Sequence, residues 1–150
     1  MREIKYRAWL KPFVNYKGIT VQGEMYKVHS IHFGTKRVII TSKGYGNVSV
    51  EFDRIILEEF TGLLDKNGVE IYEGDIIKTH YANAVKSDFI ETVVFRNGKF
   101  VAESLKGKPM HWMLIADGIA HVSFDKSVYM TDCEVIGNIH DNPELLEVTE

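Results

Sequence analysis

Hydrophobic and polar residues alternate in short runs along most of this chain, and turn-forming residues separate the runs about every ten positions. Apolar and charged side chains alternate from Glu3 to Trp9, and apolar and polar side chains alternate again from Asn47 to Phe52. The runs are rich in β-branched and aromatic residues, which favour strands with one buried face over amphipathic helices. The pattern therefore predicts a mainly β fold.

A β-hairpin is predicted at residues 91–103. Its centre is Asn97-Gly98, a pair that accepts the positive φ angles of a two-residue type I′ turn. This turn fixes the strand register and places two apolar pairs on one buried face: Phe95 with Phe100, and Val93 with Ala102.

Two later segments have less regular patterns. Residues 110–124 are either two strands joined at Asp117-Gly118 or a short apolar helix that ends at Gly118, and we favour the strands. Residues 134–140 predict a further strand, in which Gly137 marks a bulge or a close backbone approach. Asn142 and Pro143 then predict one helical turn, with Asn142 as N-cap, Pro143 at the first helical position and two leucines that fold back on the core.

The stretch TGLLDKNGVEIYEGDII, residues 61–77, has the highest density of glycines and acids. Asn67-Gly68 predicts a turn with positive φ angles, in which Asp65 bonds the backbone two residues further on. Gly74, next to Asp75, bends the following strand. The acids are expected to alternate outward without converging, so we interpret the segment as a structural turn that joins a basic and an acidic part of the chain.

Composition indicates an ordinary globular protein. The chain has 150 residues, of which 45% are hydrophobic and 26% charged, and its single cysteine, Cys133, excludes an intramolecular disulfide and suits a reducing compartment. No apolar run approaches the roughly 20 residues that span a bilayer, and the charged N-terminus is unlike a signal peptide. We expect a cytoplasmic protein without membrane association.

Charge is distributed unevenly along the chain. Residues 1–50 contain nine Lys/Arg and two acids, a net charge of +7, whereas residues 51–150 contain nine Lys/Arg and nineteen acids, a net charge of −10. The asymmetry suggests an external partner or oppositely charged parts that face each other within or between subunits. We place the boundary so that residues 1–57 form a basic β-rich region and residues 58–150 form a second region.

The sequence contains no recognisable catalytic or metal-binding pattern. His29 and His32 lie three apart in a predicted strand and are expected on opposite faces, and the other histidines are scattered. Cys133 lacks the surroundings of a nucleophile. The acids near Asp65 and Asp75 are not expected to converge as a magnesium-dependent nuclease would require. We therefore predict no enzyme, no metal and no cofactor, and a metal-dependent nuclease is the least favoured function.

Nucleic-acid binding is the alternative function that the basic first third supports. Cations beside exposed aromatic rings can hold phosphates while bases stack on the rings. The candidate surface consists of six cations and one tyrosine: Arg2, Lys5, Arg7, Lys36, Arg37, Lys43 and Tyr45.

Three blocks, REIKYRAW (2–9), FTGLLDKNGVEIYEGDII (60–77) and EVIGNIHDNPELL (134–146), resemble the YopX family in sequence and in order. The resemblance implies a protein encoded by bacteriophages or prophages, mostly of Gram-positive bacteria. It implies a mainly β fold with a small barrel of the Src-homology-3 type in the C-terminal part, on which the N-terminal region packs. The family usually has an acid after Trp9, where this chain has Leu10-Lys11.

These observations lead to one leading expectation. The chain is a non-enzymatic phage accessory protein that forms homo-oligomers and binds a host or phage protein. The residues of the family blocks are expected to be structural: Asp65, Asn67, Gly68, Gly74, Asp75, Gly137, Asn142 and Pro143.

Overall fold

The computed structural model describes the backbone of residues 3–80, 88–103, 109–116, 119–124 and 129–147, and the side chains of 3–79, 89–103 and 132–147. The chain divides into two compact units between Glu59 and Phe60. We call Glu3–Glu59 the N-terminal unit and the described residues from Phe60 onward the C-terminal unit. The mainly β fold is confirmed, because in the described ranges only two short 3₁₀ turns are helical.

The N-terminal unit contains an antiparallel sheet and a separate small hairpin. The sheet has the strand order β7-β1-β4-β5-β6, with only the first half of β7 belonging to this unit. A 3₁₀ turn, Phe52–Arg54, precedes β7, and β2 pairs with β3 alone. The bounds are β1 Tyr6–Leu10, β2 Phe13–Val14, β3 Thr20–Val21, β4 Glu24–His32, β5 Arg37–Ser42, β6 Gly46–Glu51 and β7 Ile55–Leu64.

The core of this unit forms on one face of the sheet, from Ala8, Val38, Ile40 and Ile55. A bulge in β4 between Val28 and Ser30 shifts the alternation, so that Val28 and Ile31 both pack against this core. The prediction that His29 and His32 point to opposite faces is therefore wrong, since the bulge leaves both histidines exposed on the side away from the core.

The C-terminal unit is also built from antiparallel strands. Six of them pair in the sequence β9-β10-β11-β12-β13-β14, and β14 also pairs with β9. The second half of β7 pairs with β8, and a single parallel bridge joins Leu64 to Ile119. The bounds are β8 Glu70–Tyr72, β9 Asp75–His80, β10 Asp88–Arg96, β11 Lys99–Glu103, β12 Pro109–Ala116, β13 Ile119–Phe124, β14 Tyr129–Asn138, and a 3₁₀ turn Pro143–Leu146.

The predicted hairpin at residues 91–103 is confirmed in its turn and its register. Asn97 and Gly98 have φ angles of 51° and 79°, as a type I′ turn requires. Phe95 pairs with Phe100, and Val93 pairs with Ala102 two positions further from the turn. The prediction that Phe95 is buried is wrong, because its side chain lies near the turn and is 50% exposed.

Residues 110–124 form strands, as predicted, since β12 and β13 pair along their whole length up to Ala116 and Ile119. The turn predicted at Asp117-Gly118 lies outside the described residues. A helix in this segment, the alternative interpretation, is excluded by the pairing.

Gly137 marks a bulge, the first of the two possibilities that the sequence suggested. The β9–β14 register shifts between Val135 and Gly137, which is a bulge. A Cβ at Gly137 would also lie 2.5 Å from Asn142 Oδ1, so a larger residue would have to displace the Asn142 side chain.

The predicted helical turn is present as a 3₁₀ turn that begins at Pro143, and Leu145 and Leu146 are half-buried. Asn142 occupies the predicted N-cap position before Pro143, but its side chain makes no N-cap bond. Its Oδ1 instead accepts a hydrogen bond from the Asn138 backbone N–H at 3.4 Å, which draws the side chain toward Gly137.

Candidate functional site

Four members of the predicted basic surface lie in two groups at opposite ends of strand β5. Lys36 and Arg37 lie where β5 begins, and Lys43 and Tyr45 lie in the turn that follows its last residue, Ser42. Six residues of strand span about 20 Å. The structure therefore does not bring these side chains together as one cluster.

Two of the three arginines of the predicted surface, Arg7 and Arg37, are paired with partners within the N-terminal unit. Arg7 Nε donates to Glu58 Oε2 at 2.7 Å, and the two side chains are 17% and 3% exposed. Arg37 donates to Ser49 Oγ at 2.7 Å, to Glu51 Oε1 at 3.0 Å and to the Ser49 carbonyl at 3.2 Å. Their guanidinium groups hold strands together, so a phosphate would have to compete with these bonds.

The remaining members of the predicted surface differ in exposure. Lys5 is half-buried just before β1, whereas Lys36 and Lys43 are exposed. Tyr45 is 86% exposed beside Lys43. Arg2 lies outside the described residues. Lys43 and Tyr45 are thus the pair that retains the predicted arrangement of a cation beside an accessible ring.

Sequence reasoning missed the β2–β3 hairpin, an exposed feature of the N-terminal unit. Asn15 organises its loop through four hydrogen bonds: its Oδ1 accepts from the N–H of Lys17 and of Ile19 at 2.9 and 3.1 Å. Its own N–H donates to the Ile19 carbonyl, and its carbonyl accepts from Gly18, both at 2.9 Å. Gly18 has φ 74°, the left-handed conformation that closes the loop.

The hairpin presents apolar side chains to solvent. Tyr16 is 92% exposed, Val14 64% and Ile19 57%, and the Lys17 ammonium lies 5.6 Å from the centre of the Tyr16 ring. Large apolar side chains exposed this close together on an ordered element are typical of contact surfaces. We call the exposed side chains of Val14, Tyr16, Lys17 and Ile19 the hairpin surface.

The base of the hairpin is held against the segment that precedes β7. The Arg54 guanidinium lies 4.5 Å from the centre of the Phe13 ring. Lys11 donates from its backbone N–H to the Arg54 carbonyl at 2.9 Å and from Nζ to the Asp53 carbonyl at 3.0 Å. These contacts fix both the hairpin and its exposed side chains.

In the C-terminal unit, the acids of residues 61–77 do not alternate outward as predicted. Asp65 is 1% exposed, and both of its carboxylate oxygens accept hydrogen bonds from backbone N–H groups. Oδ1 accepts from Asn67 and Val69 at 2.8 and 2.9 Å, and Oδ2 accepts from the Val135 N–H at 2.9 Å. The predicted bond to the residue two positions on is confirmed, and the bond to Val135 ties the turn to β14.

Asp75 and Gly74 have an equivalent structural role at the other end of the segment. Asp75, also 1% exposed, accepts the Tyr72 N–H at 2.8 Å. Gly74 has φ 81°, donates to the Val93 carbonyl at 2.8 Å and accepts from the Ile139 N–H at 2.9 Å. The prediction of positive φ holds for Gly68 at 79°, but Asn67 is not in that region.

Cys133 lies next to this buried turn. Its carbonyl accepts the Lys66 N–H at 3.1 Å, and Lys66 Nζ lies 2.7 Å from Glu134 Oε2. Burial raises the pKa of the Cys133 thiol to about 12, with a further contribution from the Asp65 carboxylate. A thiol that stays protonated at neutral pH is a poor nucleophile.

Two searches of the described part of the chain give negative findings. No group of three or more His, Cys, Asp or Glu side chains is placed there so that it could hold a metal ion. Nor do these ranges contain a helix with the length and apolarity needed to cross a bilayer.

Comparison with known proteins now identifies the family. The model of the YopX protein family matches residues 5–147. The chain belongs to the YopX family. A search of curated proteins finds no match. Among solved structures, the chain is similar to the crystal structure of protein EF1440 from Enterococcus faecalis, with 25% identity and a TM-score of 0.52, over 98% of this chain and 100% of that one.

The YopX blocks found in the sequence coincide with the interlocked parts of the structure. The first contains β1, the second runs from the second half of β7 into β9, and the third contains the end of β14 and the last 3₁₀ turn. Their polar residues accept backbone hydrogen bonds in buried turns, as the carboxylate of Asp65 illustrates. The hairpin surface lies outside all three blocks.

Proposed function

We propose that this YopX family member is a non-enzymatic binding module, a cytoplasmic accessory protein of a phage or prophage. It self-associates and contacts a protein of the host or of the phage. The hairpin surface is the observation that carries this proposal, because three large apolar side chains remain exposed on a loop that four hydrogen bonds hold in one conformation. A preformed contact surface loses little conformational entropy when it binds.

The state of the buried polar groups supports a binding role over a catalytic one. Asp65 and Asp75 accept backbone hydrogen bonds, and the Cys133 thiol is held protonated by burial. These groups are therefore engaged in the fold, and the accessible side chains of the described residues are apolar, basic and acidic surface groups.

Light scattering coupled to gel filtration tests self-association. The molar mass should rise with protein concentration and should depend on salt, since the two parts of the chain carry opposite net charge. A monomer at high concentration in both low and high salt would contradict this part of the proposal.

A pull-down from infected host lysate, with and without nuclease treatment, tests for a partner protein. Capture of one specific protein that survives nuclease treatment is expected. Tyr16→Ala should reduce this capture and Tyr45→Ala should not, because the two tyrosines are comparably exposed but only Tyr16 belongs to the hairpin surface. If both variants captured the partner equally well, partner binding would not depend on the hairpin surface.

Nucleic-acid binding is the second candidate function. It is favoured by the exposed Tyr45 beside Lys43, and by Phe33, which is 76% exposed three residues before Lys36. Exposed rings next to cations can stack bases and hold phosphates, as single-strand-binding proteins do. The pairing of Arg7 and Arg37 with carboxylates weakens this candidate.

Titration of labelled single- and double-stranded DNA and RNA at two salt concentrations tests the second candidate. Binding must weaken steeply as salt increases, and Tyr45→Ala combined with Lys43→Ala must weaken it further. Absence of binding at low salt would exclude this function.

We also propose that the C-terminal unit is the Src-homology-3-type barrel that the family resemblance implies. The pairing of β9 through β14, in which each strand has two neighbours in the set, supports this assignment. A crystal structure of the C-terminal unit would test it through its strand order and tilt.

A further inference from the structure

We propose that the hairpin surface of one copy docks on the acidic C-terminal turn of a second copy, giving head-to-tail assembly. We define the acidic turn as residues 138–147, which surround the last 3₁₀ turn. This inference rests on the proposed self-association and names the two surfaces that produce it.

The hairpin surface lies in a part of the chain that carries only positive charge. Between Ile4 and Gly23 the sequence contains Lys and Arg at four positions and no acid. Lys17 is exposed at the hairpin tip next to Tyr16. The surface therefore combines an apolar centre with a basic margin.

The acidic turn has the complementary composition. Asp141, Glu144 and Glu147 are exposed, and Ile139 is 36% exposed beside them. The last 24 residues of the sequence, 127–150, contain six acids and no Lys or Arg. Half-buried Leu145 and Leu146 add apolar surface between the acids. Apolar side chains can thus meet apolar side chains while Lys17 faces carboxylates.

The two surfaces are different, so the contact between copies is heterologous. Each copy contributes a hairpin surface to one neighbour and an acidic turn to another, and such contacts build rings or open chains instead of a closed two-fold dimer. A second copy is also a partner of complementary charge, because every copy carries both a basic hairpin surface and an acidic turn. The expected assemblies grow with concentration and weaken as salt rises.

Single variants with matched controls test the two surfaces. Tyr16→Ala and Lys17→Glu should each weaken the self-association constant, by about tenfold or more for the tyrosine, which is typical of a central aromatic contact. Tyr45→Ala and Lys43→Glu are the controls, since they make the same changes at exposed positions in the β5–β6 turn. Glu144→Lys should weaken association in the same way, and Glu3→Lys, at another exposed acid, should not.

Mixing two charge-reversed variants gives the decisive test. Lys17→Glu alone places like charges at every contact, and so does Glu144→Lys alone. In an equimolar mixture, the altered hairpin meets the altered turn and the native hairpin meets the native turn, so assemblies should reappear. Light scattering of each variant and of the mixture measures this at low salt, and circular dichroism checks that the variants are folded.

The outcomes separate the inference from the proposed function. If the native protein stays monomeric, self-association itself is wrong. If the native protein assembles but none of the hairpin or turn variants changes the assembly, or the mixture fails to restore it, only the assigned surfaces are wrong. Binding of the hairpin to nucleic acid or to anionic vesicles, with loss in Lys17→Glu and no change in Glu144→Lys, would also overturn the assignment to a second copy.

Discussion

Two five-residue loops in this protein have the same design and different environments. NYKGI, Asn15 to Ile19, and DKNGV, Asp65 to Val69, each begin with a side-chain oxygen that accepts two backbone N–H bonds. In both, the first and fifth residues pair through the backbone, and the fourth is a glycine with φ 74° or 79°. The local chemistry of the two loops is therefore the same.

The loops differ in whether the side chain of their first residue has a second oxygen that can accept a hydrogen bond. Asn15 has one carbonyl oxygen, which is used within the loop, whereas Asp65 has a second oxygen that accepts the Val135 N–H. Asp65 is consequently buried, and its loop is part of the core of the C-terminal unit. The Asn15 loop stays at the surface and exposes Tyr16 and Ile19. The second carboxylate oxygen thus accompanies burial in one loop and is absent from the exposed loop.

Removing the first side chain of each loop should give the largest difference between them. Asp65→Ala deprives three backbone N–H groups of their acceptor, one of them in the buried contact with β14, and we expect a loss of about 3 kcal/mol or more. Asn15→Ala removes two bonds at a more exposed site and should cost about 1 kcal/mol. Urea unfolding of both variants measures this, and equal losses would show that burial does not distinguish the loops.

Glycine replacement should give the next largest effect. Gly18→Val and Gly68→Val meet no neighbouring atoms, so each carries only the strain of positive φ, about 1 kcal/mol or more. Gly74→Val should cost more, because its strained backbone is also bonded to Val93 and Ile139. Thermal melts compare the three variants, and a Gly74→Val variant as stable as the native protein would refute the structural role of that turn.

Alkaline pH should destabilise the C-terminal unit through Cys133. The pKa of the Cys133 thiol rises from 9.0 to about 12 on folding. The free energy of unfolding therefore has its full value below pH 9 and falls as pH approaches 12, by at most about 1.4 kcal/mol per pH unit. The pKa of Tyr26, which donates to Glu24, rises from 10.0 to about 12 and acts in the same range. Urea unfolding from pH 8 to 10.5 should show a shallower decline in Cys133→Ala than in the native protein or in Tyr26→Phe; equal slopes in all three would contradict the role of Cys133.

The smallest effect is expected at Glu70, just after the Asp65 loop. Its Oε2 accepts the Tyr72 hydroxyl at 2.9 Å, and the amide oxygen of a glutamine can accept the same bond. Glu70→Gln should therefore change stability by less than about 0.5 kcal/mol and leave any binding unchanged. A large loss in a thermal melt would show that this carboxylate, like that of Asp65, has a role that only its charge can fill.

Several features of the fold were predictable because they depend on neighbouring residues. The Asn97-Gly98 hairpin and its register follow from the φ angles that the turn requires. Exposure along a strand was less predictable, as Phe95 shows, because a strand leaves the core near its turn. The predicted faces of His29 and His32 were wrong because a bulge depends on the pairing with β5.

The candidate site was predictable only in part. The basic residues of the first third were recognised, but Arg7 and Arg37 find carboxylates on other strands, and strand length separates Lys36 from Lys43. The β2–β3 hairpin was missed although NYKGI repeats the pattern of DKNGV, which was identified as a turn. An Asx residue three positions before a glycine, flanked by β-branched residues, was the available signal.

The sequence by itself determined the β class through its alternating pattern and the family through its three blocks. It also determined the turns and the two glycine-closed loops, because these depend on bonds between residues close in the chain. Only the tertiary structure decided which loop is buried and which is exposed. Val135 lies 70 residues from Asp65, and its N–H reaches the carboxylate only when β14 is in place. Local hydrogen bonds fix the shape of a loop, whereas long-range contacts determine whether the loop is buried or exposed.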